Sequence, residues 1–283
     1  MTVWFITGAS RGFGLEITRE ALSRGDSVVA TARSPQPVLD AFPDGGDRLL
    51  AVGLDVSVPA QISAAVDAAI ERFGRIDVLV NNAGRGLVGA VEETSDAEAR
   101  AIFDVNVFGL LAVTRAVLPH MRAARSGLVV NLSSVGGFVA WPGWGVYAAT
   151  KFAVEALSEA MTHELAPLGI KSVAIEPGPF RTNFLDGSSL SVVQTQVDDY
   201  AATAGAARSW ATDTNYGQDG DPVKAAKVIV DLAGYDELPE RIQLGANAVS
   251  DVAAKLERTA SDQEQWRSIS LSTDYGTVTK PIR

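Results

Sequence analysis

Tyr147-Ala-Ala-Thr-Lys151 sets a phenol and an ammonium four residues apart, which on a helix makes them neighbours on one face. A phenol with its ordinary pKa of about 10 is a poor base at neutral pH. A cation in contact favours the phenolate by roughly 1–3 units. The pair therefore predicts a phenol that exchanges a proton, as acid in carbonyl reduction or as base in alcohol oxidation. The spacing alone recurs by chance on surface helices, so its weight comes from its company. Ser134 lies 13 residues upstream, at the end of an expected strand, near enough in chain for both side chains to share one site. Asn106 sits in Asn106-Val-Phe-Gly109, inside a long helical pattern where Asn is unfavourable without a task. Pro177-Gly-Pro-Phe-Arg-Thr182 follows another strand.

Such residues act together only if the chain brings them together. Apolar strand patterns recur at 3–7, 27–32, 49–54, 77–81, 128–133, 171–176 and 241–244. Helical patterns fall between them: 12–23, a segment opened by Pro59, 96–122, 147–165, one begun by Asp221-Pro222, and 247–267. This alternation predicts an α/β Rossmann fold: one domain, doubly wound, with a parallel sheet of about seven strands and helices on both faces. Ligands then sit beyond the carboxyl ends of the strands, where every residue above falls. Residues 1–245 are expected to form the nucleotide-binding catalytic domain, and 246–283 its terminal helix and a loosely attached tail (268–283). The Ser-, Thr-, Asp- and Gly-rich stretch 186–220 reads as a mobile substrate lid, with a surface insertion as the plainer alternative.

Between the first strand and helix lies Thr7-Gly-Ala-Ser-Arg-Gly-Phe-Gly14. Glycines let backbone approach a pyrophosphate, and a helix N-terminus offers free N–H groups and a positive dipole end. Gly8, Ser10, Arg11, Gly12, Phe13 and Gly14 are thus candidate dinucleotide contacts. An enzyme for NAD usually carries an acid at the end of the second strand for the ribose 2′-OH. Here Ala32 fills that place and Arg33 follows. A guanidinium suits a 2′-phosphate, and Arg11 offers a second cation, so NADP (NADPH) is the expected cofactor. Asp55, with Val56 beside it, either accepts from the adenine amine or caps the next helix. In Asn81-Asn-Ala-Gly84, Asn82, Ala83 and Gly84 let the chain pass the adenine ribose, while Asn81 reads equally as a staple between strands. Pro177, Gly178, Phe180 and Thr182 are placed at the nicotinamide carboxamide.

Taken together, the Thr-Gly-Ala-Ser-Arg-Gly-Phe-Gly loop, Asn-Asn-Ala-Gly, Asn106, Ser134, Tyr147-x-x-x-Lys151 and Pro177-Gly178 resemble the short-chain dehydrogenase/reductase family over about residues 3–182, and more loosely to about 245. The resemblance implies an NADP(H)-dependent oxidoreductase in which Tyr147 exchanges the proton and Ser134 hydrogen-bonds the substrate oxygen. It also implies that Lys151 binds the nicotinamide ribose and lowers the phenol pKa, and that Asn106 holds a water linking Lys151 to solvent. The extra chain after 183 is similar to a steroid- and retinol-dehydrogenase-like branch. A homo-oligomer is expected, a dimer before a tetramer. A non-catalytic NADP-binding regulatory protein on the same fold is the alternative.

Phe138, Trp141 and Trp144 lie between Ser134 and Tyr147, and Phe184 and Leu185 follow Thr182. Phe138, Trp141 and Phe184 are candidate substrate walls, each of which would otherwise serve only in packing. With Ser134 and Tyr147 they suit a bulky apolar ketone, aldehyde or alcohol. The net charge of −10 and the lack of a basic stripe argue against nucleic acid. No cysteine is present, which excludes disulfides and thiolate chemistry. His120 and His163 stand at no ligand spacing, so no metal is expected. A start reading MTVWFITGAS leads from strand to glycine rather than through a signal sequence. No uninterrupted apolar run of membrane length is evident, so a cytoplasmic protein with no membrane partner is expected.

Overall fold

The computed structural model describes residues 1–276. The chain runs β1 (Val3–Thr7), α1 (Gly12–Ser23), β2 (Ser27–Ala32), α2 (Gln36–Ala41), β3 (Leu49–Gly53), α3 (Pro59–Phe73), β4 (Val78–Asn81) and β5 (Gly86–Val88). Next come α4 (Asp96–Phe103), α5 (Leu110–Ala124), β6 (Gly127–Leu132), α6 (Gly145–Leu165), β7 (Ile170–Pro177) and β8 (Leu190–Val192). Last are α7 (Ala206–Asp213), α8 (Pro222–Asp231), β9 (Arg241–Leu244) and α9 (Ala246–Leu271).

Seven of the strands form one parallel sheet in the order β3-β2-β1-β4-β6-β7-β9. Alternate residues of a strand face opposite sides, and β1 shows why both sides are covered. Trp4 and Ile6 pack with Ile17 of α1 and Ile229 of α8. Phe5 packs on the other face with Val66 of α3 and Val113 and Val117 of α5. A strand buried on both faces needs the continuous apolar run seen in Val-Trp-Phe-Ile. The strand order reverses between β1 and β4, which opens a crevice at their carboxyl ends.

Helix starts follow their caps. Ser95 and Glu98 close a capping box on α4, and Asp221 accepts from Val223 N at 2.9 Å with Pro222 at the first helical position. The expected helix 96–122 is interrupted by a π-helical turn, Asp104–Gly109, that carries Asn106. The combined run Asp96–Ala124 is long and apolar enough to cross a bilayer by length and composition, a feature the sequence reading did not find. Its Val113, Val117 and Met121 are buried against the sheet.

The 186–220 segment is built from β8, short 3-10 and π turns, and α7. β8 pairs in parallel with β5, Gly86 opposite Leu190, a small second sheet that no pattern announced. Buried Glu93 ties the segment down, accepting from Arg208 Nη1 at 2.7 Å and Val197 N at 2.9 Å. Asp186 accepts from Asn215 Nδ2 at 2.8 Å and Tyr216 Oη at 2.7 Å. α7 then lies against the 141–144 loop, so closely that a Cβ on Gly143 would stand 2.7 Å from Ala207 Cβ. Helix α9 runs past its expected end to Leu271, so the expected tail begins as helix, and residues 277–283 of it lie outside the described residues.

Candidate active site

The site begins where β6 ends. After Leu132 the chain turns through Ser133 and Ser134, and Ser134 Oγ accepts from Gly136 N at 2.9 Å. That turn aims Ser134 at Tyr147 on the first turns of α6, within reach of its phenol. Lys151, one turn further, is buried and its Nζ donates to Leu132 O at 2.7 Å. A Cβ on Gly84 would be 3.3 Å from Asn106 Oδ1 and 3.8 Å from Lys151 Nζ. Glycine there lets the loop after β4 approach both.

Burial governs both ionisable groups. It pushes the Tyr147 phenol up to about 12, against the hydrogen bond from Ser134, and pushes the Lys151 ammonium down to about 8, against the attraction of Glu155. The expected lowering of the phenol by its lysine is thus not found. Desolvation is the larger cause of the shift, and Tyr147 is a phenol, a proton donor, throughout the neutral range.

Asn106 acts as a clamp. Its Oδ1 accepts from Arg85 N at 2.9 Å, and its Nδ2 donates to Arg85 O at 2.9 Å and to Thr150 Oγ1 at 3.0 Å. Thr150 Oγ1 in turn donates to Tyr147 O at 2.7 Å. The π turn thereby ties the loop after β4 to α6. Both amide hydrogens are committed to the protein, while Oδ1 keeps a second lone pair.

The glycine loop is shaped as predicted. Gly8 and Gly12 take φ +68° and +55°, in the left-handed region that favours glycine. A Cβ on Gly14 would fall 2.4 Å from Gly8 O and 2.6 Å from Asn82 Nδ2. Asn82 braces the loop, its Nδ2 donating to Thr7 O at 2.7 Å and Gly8 O at 3.0 Å. Ala83 N donates to Thr7 Oγ1 at 3.0 Å. The first turn of α1 has no side-chain cap and no acid, so its N–H groups face no anion of the protein's own. That is the chemistry a bound pyrophosphate requires, and Ser10 lies in the same half-buried loop. Asn81 is the staple: its Nδ2 donates to Thr114 Oγ1 and Asn131 Oδ1, both at 2.9 Å, inside the core.

Other expected contacts divide. Arg33 is exposed at the end of β2 and bears on the Asp55 carboxyl. Asp55 accepts from Ser57 N at 2.9 Å and Ser57 Oγ at 2.6 Å. Those bonds hold its carboxyl below the usual range, and they make a turn ahead of α3 rather than its cap, which is Val58. The Val56 side chain is core, so close to the π turn that a Cβ on Gly109 would meet its Cγ2 at 2.7 Å. Arg11 Nη2 donates to Ser188 O at 2.9 Å, tying the loop to the 186–220 segment. Phe138 is corrected outright. The 3-10 turn at Val135–Gly137 carries it away from the cavity, to pack with Val135, Ala248 and Val252 beneath the Arg241 guanidinium.

A cavity of about 740 Å³ opens from Tyr147 and Ser134. One end is formed by Phe13, Asn82, Gly84 and the Pro177, Gly178, Phe180 and Thr182 stretch, where the Phe13 and Phe180 rings lie 5.1 Å apart. The other is walled by Trp141, Trp144, Phe184, Leu185 and Trp210. Trp144 stands edge-on to Tyr147 at 5.8 Å and to Trp210 at 6.2 Å, and Phe184 lies 5.5 Å from Tyr147. Sequence reasoning missed Trp210 and Arg85 as lining residues. Arg85 carried a signal, following directly on Asn-Asn-Ala-Gly; Trp210 sits among polar and small residues with no periodicity to point at the cavity.

The model of the family described as short chain dehydrogenase matches residues 2–191. The chain belongs to that family. It is 38% identical over 272 residues to Oxidoreductase BOA17 of Botryotinia fuckeliana, covering 96% of this chain and 98% of the relative. It is 43% identical over 197 residues to 3-ketodihydrosphingosine reductase of Bacteroides thetaiotaomicron, covering 69% and 70%. A short-chain dehydrogenase from Streptomyces avermitilis has the same fold, with a TM-score of 0.88 at 40% identity over 97% of this chain and all of that one. At 26% identity stand a Brucella melitensis 3-ketoacyl-(acyl-carrier-protein) reductase complexed with NADH (TM-score 0.72, 86% and 96% covered) and ElxO with NADP bound (0.73, 88% and 99%). The protein is an oxidoreductase of this family, whose members act on small molecules and whose structural neighbours hold NAD or NADP cofactors.

Proposed function

We propose that the protein is an NADP(H)-dependent reductase of bulky apolar ketones or aldehydes, with Tyr147 as the proton donor. The observation that carries this is that Ser134, Tyr147 and Lys151 line one cavity together with Phe13 of the glycine loop and with an aromatic wall of Trp141, Trp144, Phe184 and Trp210. When bound, the nicotinamide supplies the hydride. Ser134 Oγ and the Tyr147 phenol converge on one point, where a carbonyl oxygen would be held, and the protonated phenol gives that oxygen its proton. Lys151 orients the ribose side and keeps positive charge beside the phenol as it ionises. Asn106 positions these groups by fixing Arg85 and Thr150. The first turn of α1, with Gly8, Gly12 and Gly14, fits a pyrophosphate. Arg33, with no acid at the end of β2, supports NADP over NAD.

The tryptophan walls support a large apolar substrate, as does the name of the Bacteroides relative, 3-ketodihydrosphingosine reductase. The exposed rings of Phe108 and Phe152 on adjoining helices support a homodimer.

Tight-binding fluorescence titration of NADPH and NADH on wild type and Arg33→Ala tests the cofactor assignment. A charge-assisted bond of about 1.5–3 kcal/mol predicts a loss of roughly 10–150-fold in NADPH affinity, with NADH unchanged. Equal binding of both by wild type would end the NADP assignment. NADPH consumption with 3-ketodihydrosphingosine and aryl ketones, set against small charged ketones, tests the substrate class. Turnover confined to the charged set would refute it.

A further inference from the structure

Helix α6 carries a third ionisable group on the stripe of Tyr147 and Lys151: Glu155, one turn further on, is 6% exposed and lies outside the cavity. Strand β7 brings the fully buried Glu176 within hydrogen-bonding reach of it. Strand β9 adds Gln243, whose Nε2 donates to Glu176 Oε2, and Arg241. Arg241 Nε stands 3.7 Å from Glu155 Oε2, but its Nη2 pairs with Glu159 and reaches Glu240. At the end of β6, Ser133 Oγ faces the same space: a Cβ on Gly137 would stand 2.5 Å from it and 3.0 Å from Glu155 Cγ.

Ionised carboxylates only accept hydrogen bonds. Among the described residues no protein donor is in bonding geometry with either oxygen of Glu155 or with Glu176 Oε1. Two adjoining carboxylates would thus repel each other and leave three buried acceptors orphaned. One proton between them removes the repulsion and satisfies an oxygen on each side. Burial disfavours the Lys151 ammonium, and Glu155 favours it.

We propose that Glu155 and Glu176 hold one proton in common, and that this half-neutralised pair is the counter-charge that sets the protonation of Lys151. Glu155 is a positioning residue: it acts on Tyr147 only through Lys151, and in that respect the inference rests on the function proposed above. The charged groups around Glu155 are Lys151 and Glu159 on α6, Glu176 on β7 and Arg241 on β9. Two substitutions then have opposite signs. Glu155→Gln removes Glu155's share of the negative charge, the share that acts on Lys151, so Lys151 loses its proton at lower pH. Glu176→Gln removes the repulsion that keeps Glu155 half protonated, so Glu155 ionises fully and Lys151 keeps its proton to higher pH.

The test is NMR titration of the full chain labelled at lysine Cε, with the Lys151 signal assigned by its loss in Lys151→Met. The Lys151 midpoint is expected to fall by about one pH unit in Glu155→Gln and to rise by about as much in Glu176→Gln, the lower end of the range for a close charge. In Glu159→Gln, which removes a half-exposed carboxylate, it is expected to stay in place. An unchanged midpoint in the two buried variants, or a shift of the same sign in both, overturns the proposal. Should Glu155→Gln fail to fold, Glu176→Gln decides alone: a rise supports the shared proton, and no change or a fall overturns it. The readout needs no turnover, so failure to reduce any ketone would count against the proposed function and leave this result standing.

Discussion

Lys151→Met removes an ammonium that the fold holds at a cost. The Lys151 pKa stands at about 8 in the folded chain against an ordinary 10.5. Below pH 8 the lysine is charged in both folded and unfolded states, and the folded state bears the full desolvation. Between pH 8 and 10.5 the folded chain has released its proton while the unfolded chain still binds one. Wild-type stability therefore rises with pH across that window, and is lost again as pH falls back through 8. At 1.36 kcal/mol per unit, the Lys151 shift from 10.5 to about 8 amounts to about 3 kcal/mol in full, of which about 2.5 kcal/mol falls between pH 7 and 10. Methionine also loses the bond to Leu132 O, which sets a constant offset of about 1–3 kcal/mol but no slope. Urea unfolding of both proteins at pH 7, 8, 9 and 10 gives the difference curve. Relative to wild type, the variant should lose about 2.5 kcal/mol of stability from pH 7 to 10. A flat difference would show that the ammonium is as well solvated inside as outside, and the reasoning about the site's electrostatics would fall with it.

Tyr147→Phe should lower kcat for ketone reduction by about 10²–10⁴-fold while leaving NADPH affinity, read by fluorescence, almost unmoved; residual activity near wild type would remove Tyr147 as the donor. Gly14→Ala places a methyl group 2.4 Å from Gly8 O and 2.6 Å from Asn82 Nδ2. Either the loop or Asn82 must move, so NADPH affinity should fall by about 10-fold or more, for a displacement worth about 1.4 kcal/mol. A crystal structure with an undisturbed loop would contradict this. Trp210→Ala removes part of the aromatic wall, and an aromatic contact with the substrate is worth about 0.5–1.5 kcal/mol besides its apolar area, so KM for an aryl ketone should rise by about 3–10-fold. An unchanged KM would place Trp210 outside the substrate's reach.

The sheet and the glycine loop were legible because each rests on local rules. A strand buried on both faces needs a core of consecutive apolar residues, and Val3–Ile6 of β1, Val28–Ala30 of β2, Val78–Val80 of β4, Leu128–Val130 of β6 and Val173–Ile175 of β7 supply one. A glycine with φ +68° or one pressed against Gly8 O leaves its mark as residue type. Ser134, Tyr147 and Lys151 were legible for a related reason: a serine at a strand end and an i, i+4 pair on the following helix meet by geometry of the fold alone. Phe138 failed because three residues of 3-10 turn rotate the chain between Ser134 and the side chain, and no spacing rule reports that rotation. The phenol's shift failed because sequence shows the neighbouring cation but not the burial, and burial is the larger effect for Tyr147 and Lys151 alike.

The segment over the cavity shows the opposite limit. Its anchors are polar contacts between residues far apart in sequence: Glu93 with Arg208, Asp186 with Asn215 and Tyr216, Arg11 with Ser188. None belongs to a periodic pattern. A buried carboxylate such as Glu93 is tolerated only because Arg208, Ala90 N and Val197 N all donate to it, and sequence alone cannot pair one glutamate with one arginine among many. The close seat of α7 depends on what is missing, a side chain at Gly143 and anything larger than methyl at Ala204 and Ala207. Composition reads such residues as loop. In the folded chain the same small residues let helix α7 approach near enough for Trp210 to complete the aromatic wall. The part of the site that should choose the substrate is therefore fixed by tertiary contacts, whereas the part that does the chemistry is fixed by local ones.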